Sequence, residues 1–267
     1  MINYPEQVIL IGSVLLFFSI LASKAGNRFG LPSLLLFLGV GMLFGSDGLG
    51  LQFSSPKVTQ FVGMLAMSII LFSGGMDTKI AQIKPVATPG AVLATLGVLA
   101  TTFLTGSFIY FLFYYLSDHI TLTYPESLLL AAVMSSTDSA SVFSILRSKG
   151  VFLKERLRPT LELESGSNDP MAYMLTLILI SYIQEGGMNL SSAGLDLLIQ
   201  LSVGALFGYL LGKAAVWSIN KVNVDNESLY PILLLATAFF TFAGTTLCQG
   251  NGYLAVYIAG LVVGNAK

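Results

Sequence analysis

The chain has 267 residues, 54% of them hydrophobic and only 10% charged, with a formal net charge of −1 and a mean hydropathy of +0.79. Soluble domains carry about a quarter charged residues, so these values exclude a large soluble domain and point to a polytopic membrane protein. The absence of a basic tract argues against nucleic acid as a partner, and a single cysteine, Cys248, excludes an internal disulfide or a cysteine-built metal centre.

A helix needs about 20 mainly apolar residues to cross a bilayer. In chain order, the predicted spans are 7–23, 31–46, 58–76, 86–116, 126–147, 159–184, 192–220, 229–248 and 251–265. The expected fold class is therefore all-α, with about nine transmembrane helices. Met1 to Gln7 lacks a positive leader, so the first span does not read as a cleavable signal peptide. The fourth and seventh are long enough to be tilted or to protrude. The second and ninth are short and glycine-rich and are expected to be irregular. Gly204, Gly208 and Gly212 recur at four-residue spacing in the seventh, which should admit a closely packed helix from this chain or from a second copy. Cys248, at the end of the eighth, is expected to pack as a small apolar residue.

Basic residues mark the cytoplasmic loops. Lys24 and Arg28, Lys79 and Lys84, the run Arg147 to Arg158, Lys213, Lys221 and Lys267 all fall on one side of this arrangement, and of 13 basic residues only Lys57 falls on the other. The alternation places the N-terminus outside. Leu35 to Gly45 resembles Leu254 to Gly264, with Gly41 and Gly45 aligned to Gly260 and Gly264. The two segments lie in spans of opposite direction, as in the inverted repeats of secondary transporters. On this basis residues 1–185 are expected to form a first repeat, 192–220 a linker helix and 229–267 the start of a second repeat, so that the chain reads as truncated.

Charge inside these spans carries the chemistry. The sixth contains Glu164-Ser165-Gly166-Ser167-Asn168-Asp169-Pro170, and the fifth contains Ser135-Ser136-Thr137-Asp138-Ser139-Ala140-Ser141. An acid at the centre of a bilayer costs roughly 2.5–3.5 kcal/mol even on the gentlest scale, so it must face protein, water or an ion. Asp169 lies ten residues into its span, about 15 Å at 1.5 Å per residue. Asp138 sits about midway along a span that enters from the opposite side. Pro170 removes a backbone donor, and the hydroxyls of the fifth span can replace lost helix bonds. Both favour unwinding near mid-membrane, where broken helices expose groups that coordinate cations. Sodium and potassium prefer hard oxygen ligands, which Thr137, Ser165 and Asp169 supply and to which Asn168 adds an amide. Glu164 lies nearer the inner surface and is suited to pairing with an arginine, though these spans offer none at matching depth. Glu162, nearer still, reads as an interface residue.

The patterns Ser135-Ser136-Thr137-Asp138-Ser139-Ala140-Ser141-Val142-Phe143 and Glu164-Ser165-Gly166-Ser167-Asn168-Asp169-Pro170-Met171-Ala172 resemble the ion site of the monovalent cation:proton antiporter-1 family, and most nearly its bacterial NhaP-type potassium/proton branch. Gly74-Gly75-Met76, Tyr230-Pro231 and Leu254-Ala255-Val256-Tyr257 extend the likeness along the chain. The resemblance implies a bacterial inner-membrane homodimer with about thirteen spans in two inverted repeats and a cytoplasmic tail. It implies that Asp169 takes a cation or a proton, that Thr137 and Ser165 are further ligands, and that Asp138 stands at the unwound crossing. Asn168 would tie the sixth span to the unwound fifth, and an Asn there marks electroneutral exchange. Glu164 would pair with an arginine of a later span. Many relatives carry an acid where this chain has Ser73, which removes one possible charged ligand and leaves ion preference open.

The expected activity is secondary antiport of potassium or sodium against protons, by competition at Asp169. Desolvation opposes movement of the bare carboxylate. No cofactor is expected beyond the transported ions, and the chain has no phosphate-binding Gly-x-x-x-x-Gly-Lys-Ser/Thr sequence for a nucleotide. One alternative is an intramembrane aspartyl protease using Asp138 and Asp169 as a dyad, although the Gly-x-Gly-Asp sequence of such enzymes is missing. A second is a non-transporting fragment or channel-like subunit.

Overall fold

The computed structural model describes residues 5–29, 33–51, 55–116, 121–138, 153, 156–185, 190–222 and 228–266, and all regular structure among them is helical. Helices α1 (Pro5–Phe29), α2 (Ser33–Phe44) and α3 (Pro56–Asp77) lie at the first three predicted spans. The fourth span is one helical run of 37 residues, Ile80–Leu116, but it is not uniform. It passes from α4 (Ile80–Ile83) through a 3₁₀ turn (Lys84–Val86), α5 (Ala87–Val92) and a π turn (Leu93–Gly97) into α6 (Val98–Leu116). Pro85 and Pro89 explain the irregular first part, since neither can donate to the helix ladder.

Helix α7 (Tyr124–Val133) begins where Glu126 accepts hydrogen bonds from the Thr123 N–H at 2.8 Å and the Thr123 hydroxyl at 2.7 Å. It ends ten residues later. Residues 135–138 then continue without helix, and 139–147 of the predicted fifth span lie outside the described residues. The remaining helices are α8 (Leu157–Glu185), α9 (Leu190–Val222), α10 (Leu229–Leu247) and α11 (Gly252–Gly264). Among the described residues, four helical stretches are long and apolar enough to cross a bilayer by themselves: Pro56–Asp77, Ile80–Leu116, Gly194–Lys221 and Leu229–Leu247. At most 28% of any such window is buried inside the protein. Apolar side chains such as Phe103, Leu206 and Phe240 stay exposed, as helices surrounded by lipid require.

The chain divides into two compact units, residues 1–63 with 138–154, and residues 64–137 with 155–267. In the first, α1 and α2 pack together with Phe18 and Phe44 in ring contact at 5.8 Å. The second unit is built around α11. This helix has 13 residues, about 20 Å of length and too short to cross a bilayer alone. It is a regular helix despite its glycines, and it is apolar on all sides and largely buried, as a core helix should be. Tyr253, Val256, Tyr257, Ala259 and Leu261 join Leu71 and Phe72 of α3 and Ala238 of α10 in one core cluster.

Two glycine seams hold α11. A Cβ on Gly260 would lie 2.3 Å from the Phe72 carbonyl, and one on Gly264 would lie 2.2 Å from the Met76 carbonyl. Opposite them, a Cβ on Gly75 would lie 2.3 Å from the Tyr257 carbonyl. Along α9, the stripe of Gly204, Gly208 and Gly212 meets Asn251, Ala255 and Ala259 of α11. The partner of that stripe is thus within this chain. Both ends of α11 are capped by asparagine. Asn251 Oδ1 accepts from the Leu254 N–H at 3.0 Å. Asn265 accepts from the Ile80 N–H at 2.9 Å and donates to the Thr78 and Leu261 carbonyls at 2.8 Å. Cys248 departs from expectation: it is exposed, because it is the C-cap of α10 and sits at the rim of the helix rather than in its packed face.

Gly208→Leu should overpack the α9–α11 seam, since even a Cβ there would lie 2.5 Å from the Ala255 carbonyl. The expected loss is about 1–3 kcal/mol or more. Gly244→Ala meets nothing within 4 Å and should be neutral or stabilise by up to about 1 kcal/mol. Thermal unfolding of the two variants in detergent checks the pair; a G208L protein as stable as the parent would contradict the seam.

Candidate functional site

The middle of α8 lies against the non-helical end of α7. Serine, threonine and aspartate compete with the backbone for hydrogen bonds and weaken a helix interior, which accounts for α7 giving way after Val133. The chain then turns through Met134, whose N–H reaches the Leu130 and Ala131 carbonyls, and Ser135, whose buried hydroxyl donates to the Ala132 carbonyl at 2.7 Å. The next residues take their partners from α8 instead of from their own helix.

Asn168 is fully buried and is the hub of these contacts. Its amide donates to Thr137 Oγ1 at 2.7 Å, to the Thr137 carbonyl at 3.4 Å and to Glu164 Oε1 at 2.9 Å. The Thr137 hydroxyl donates to the Glu164 carboxylate, at 2.9 Å to Oε1 and 3.1 Å to Oε2. Ser165 Oγ donates to the Thr137 carbonyl at 3.0 Å. Ser136 Oγ donates to Asp169 Oδ1 and lies 3.5 Å from Asn168 Oδ1. Positions 164, 165, 168 and 169 fall on one face because a helix returns to the same side every three to four residues.

Of the residues singled out from sequence, Thr137, Glu164, Ser165, Asn168 and Asp169 come together in this cluster. Asp138 follows directly in the chain and is exposed. Ser73 is exposed on α3, and among the described residues no hydrogen bond joins it to the cluster. Glu162 pairs with Arg158 at 2.8 Å. Two participants went unnamed. Among the described residues Ser136 donates to Asp169, and the hydroxyl run 135–139 is the sequence signal for it. Asn251, at the start of α11, donates to the Pro170 carbonyl at 3.3 Å, and no local pattern announces it.

Every polar atom in this cluster is oxygen apart from the Asn168 amide nitrogen, and one carboxylate sits at each end, at Glu164 and Asp169. Such a set can offer hard ligands to an alkali cation, or hold a proton on a carboxylate. Among the described residues, no three His, Cys, Asp or Glu gather as a multivalent metal centre would require.

Fold and site together define a polytopic helical membrane protein in which the non-helical stretch after α7 meets the acid-bearing face of α8. The chain belongs to the sodium/hydrogen exchanger family: the model described as "Sodium/hydrogen exchanger, transmembrane" matches residues 13–267. It is 40% identical over 260 residues to the K(+)/H(+) antiporter NhaP of Alkalimonas amylolytica, covering 97% of this chain and 44% of that protein. It is 40% identical over 259 residues to the K(+)/H(+) antiporter NhaP2 of Shewanella oneidensis, covering 96% and 43%. The Na(+)/H(+) antiporter NhaP of Pseudomonas aeruginosa is 29% identical over 216 residues, covering 80% and 48%. The chain therefore spans less than half the length of these relatives. Its fold matches the sodium proton antiporter MjNhaP1 of Methanocaldococcus jannaschii with a TM-score of 0.78 at 23% identity, covering 97% of this chain and 62% of that one. Membership of an exchanger family sets aside the protease reading of Asp138 and Asp169.

Asn168→Ala would remove the donor shared by Thr137 and Glu164 and leave a carboxylate short of a partner. Stability is expected to fall by about 1–3 kcal/mol, measured as thermal unfolding in detergent. Proteolysis should rise at 134–138, the segment that Asn168 holds.

Proposed function

We propose that the protein containing this chain exchanges a monovalent cation for protons across the bacterial inner membrane, with Asp169 as the group for which cation and proton compete. The observation that carries this reading is the cluster in which Ser136 meets Asp169 while Asn168 and Ser165 hold Thr137 against α8. Relatives 40% identical are named K(+)/H(+) antiporters, which favours potassium over sodium. The exchange is electroneutral in this reading, because Asn168 stands where a second acid would add a charge. The N-terminus lies outside.

The cycle follows from the cost of desolvation. A bare carboxylate moved through a low-dielectric barrier is opposed by its lost hydration. Asp169 carrying a proton, or holding a cation together with Thr137 and Ser165, is neutral and can change sides. Only the loaded forms cross, so cation and proton flow are coupled without a nucleotide or any cofactor. Asp138 stands beside the interruption of the fifth span and biases the site toward cations. Glu164 holds Thr137 and Asn168 here and in the whole protein also meets an arginine of a later span. Ser73 lowers the charge near the site relative to acid-bearing relatives. Residues 1–185 are the first repeat, 192–220 the linker helix and 229–267 the opening of the second repeat of a homodimeric exchanger.

The test is cation-induced proton release from full-length protein in liposomes. Potassium, and to a lesser extent sodium, should release protons, and Asp169→Asn should reduce release to the level of protein-free vesicles. A potential-sensitive dye should stay flat during exchange. Exchange that survives Asp169→Asn sinks the proposed site, and a developing potential sinks electroneutrality.

A further inference from the structure

A cavity of about 320 Å³ opens at one end of the second unit, between α9 and the turn that joins α10 to α11. It is lined by Asp196, Ile199 and Gln200 of α9 and by Thr246, Gln249 and Gly250. Lys213 and Lys221 lie toward the opposite end of α9, and Asn265, at the far end of α11, bonds the Ile80 N–H beside Lys79. The cavity is thus at the end away from these basic residues, the outer side of the membrane in the proposed orientation. Of its lining residues only Gly250 is buried, which makes it the innermost wall. Asn251 comes next in the chain and is 4% exposed. Its backbone N–H donates to the Gln200 carbonyl at 3.0 Å, and its side-chain amide to the Pro170 carbonyl at 3.3 Å. One buried residue therefore stands between the cavity wall and the backbone of the exchange site.

Among the described residues the lining carries one charge, the Asp196 carboxylate, and no basic side chain. Asp196 enters no hydrogen bond or ion pair among those residues. It belongs to the apolar stretch Gly194–Lys221, where an acid is costly unless it faces water or an ion. The helix dipole does not account for it, since that effect is confined to the first turn and α9 begins at Leu190. The same cavity presents the side-chain amides of Gln200 and Gln249 and the Thr246 hydroxyl. The Thr246 proton is already given to the Phe242 carbonyl at 2.8 Å, so its oxygen is left as an acceptor. These are hard oxygens of the kind alkali cations take. Gln249 has a φ of 58°, in the left-handed region. It follows the C-cap of α10, donating to the Thr246 carbonyl at 3.0 Å while Gly250 donates to the Thr245 carbonyl at 2.9 Å. Glycine is the ordinary occupant of that position and would close the turn with less strain, but it would take the amide out of the cavity.

We infer that this cavity is an outer collecting site for the monovalent cations the protein exchanges, with Asp196 as the residue that draws them in; the inference rests on the proposed antiport reading. A lone carboxylate in a cleft with low-dielectric walls concentrates cations and repels anions. The neighbouring amide and hydroxyl oxygens replace part of a cation's hydration without adding charge, so the ion is gathered loosely and can leave. The site acts on the supply of cation and not on the competition at Asp169. Its effect is electrostatic and falls with ionic strength, because the screening length shrinks from about 10 Å at 0.1 M salt to about 3 Å at 1 M.

Two measurements on full-length protein test this. In lipid nanodiscs at low ionic strength, Ile199→Cys in a Cys248→Ser background is labelled with two thiol reagents that differ in charge, a trimethylammonium-ethyl and a sulfonatoethyl methanethiosulfonate, and labelling of the background protein is subtracted. The cationic reagent should react faster. Adding Asp196→Asn should cut the ratio of the two rates about tenfold, since the lost charge favours one reagent about threefold and disfavours the other equally. In uniformly oriented protein in liposomes, Asp196→Asn should raise half-saturating potassium on the cavity side about threefold, with the maximal rate within about twofold of wild type. Choline chloride at about 1 M should erase that difference, and Asp196→Glu should behave as wild type. A reagent ratio indifferent to Asp196→Asn, a position 199 that reacts with neither reagent, or an unchanged half-saturation overturns the inference. Wild type that releases no protons, or Asp169→Asn that still does, sinks the antiport reading instead, and the reagent ratio then still decides whether the cavity gathers cations.

Discussion

Thr137 is held to α8 by the Asn168 amide and the Ser165 hydroxyl, and those bonds take the place of helix bonds in the stretch that follows α7. Unsatisfied backbone groups cannot face hydrocarbon, so a chain that leaves the helix after Val133 must find donors and acceptors in its neighbour. Helix α8 supplies them from one face. That face must therefore carry polar residues, and a polar face must be shielded from lipid, which the second unit does by packing α5, α6 and α11 against α8. Met171, Ala172 and Leu175 of α8 join Val98 and Ala132 in a buried cluster, directly beyond Pro170. The acids are tolerated because the same hydrogen bonds that replace the missing helix also receive the carboxylates.

Stiffness in this unit is distributed unevenly. Helix α11 makes backbone-to-backbone contact on two sides and is capped at both ends by asparagine. Helix α8 runs unbroken from Leu157 to Glu185 but carries Pro170 inside it, which removes one backbone donor, and α7 ends within the site. A rigid core helix thus faces two weak ones.

Much of this was legible in the residues. Apolar length located most of the helices, but the predicted fourth span begins earlier, at Ile80, and the helix at the predicted fifth ends at Val133. The hydroxyl run at 135–141 holds side chains that compete with the backbone for hydrogen bonds, and its described part, 135–138, is non-helical. What escaped were pairings that depend on where a non-helical chain goes. Glu164 looked like half of an ion pair, yet a threonine hydroxyl and an asparagine amide approach it here. That Ser136 reaches Asp169 is set by the path of residues 134–137, not by composition. The glycines of α9 foretold close packing but not their neighbour, since a small-residue stripe fits any smooth helix.

The π turn at Leu93–Gly97 bears on the history of this fold. Gly90 faces Leu163 of α8, and Val98 packs in the cluster with Met171. Eight residues of regular α-helix leave the two ends about 80° out of phase, and the wider turn takes up most of that offset so that both meet α8. The turn has the form of a one-residue insertion absorbed in place. A chain lacking one of these residues would have a spacing of seven, about 20° out of phase in a regular helix, and both contacts would survive. Relatives of different length at this point should align by structure where sequence alignment alone would slip by one.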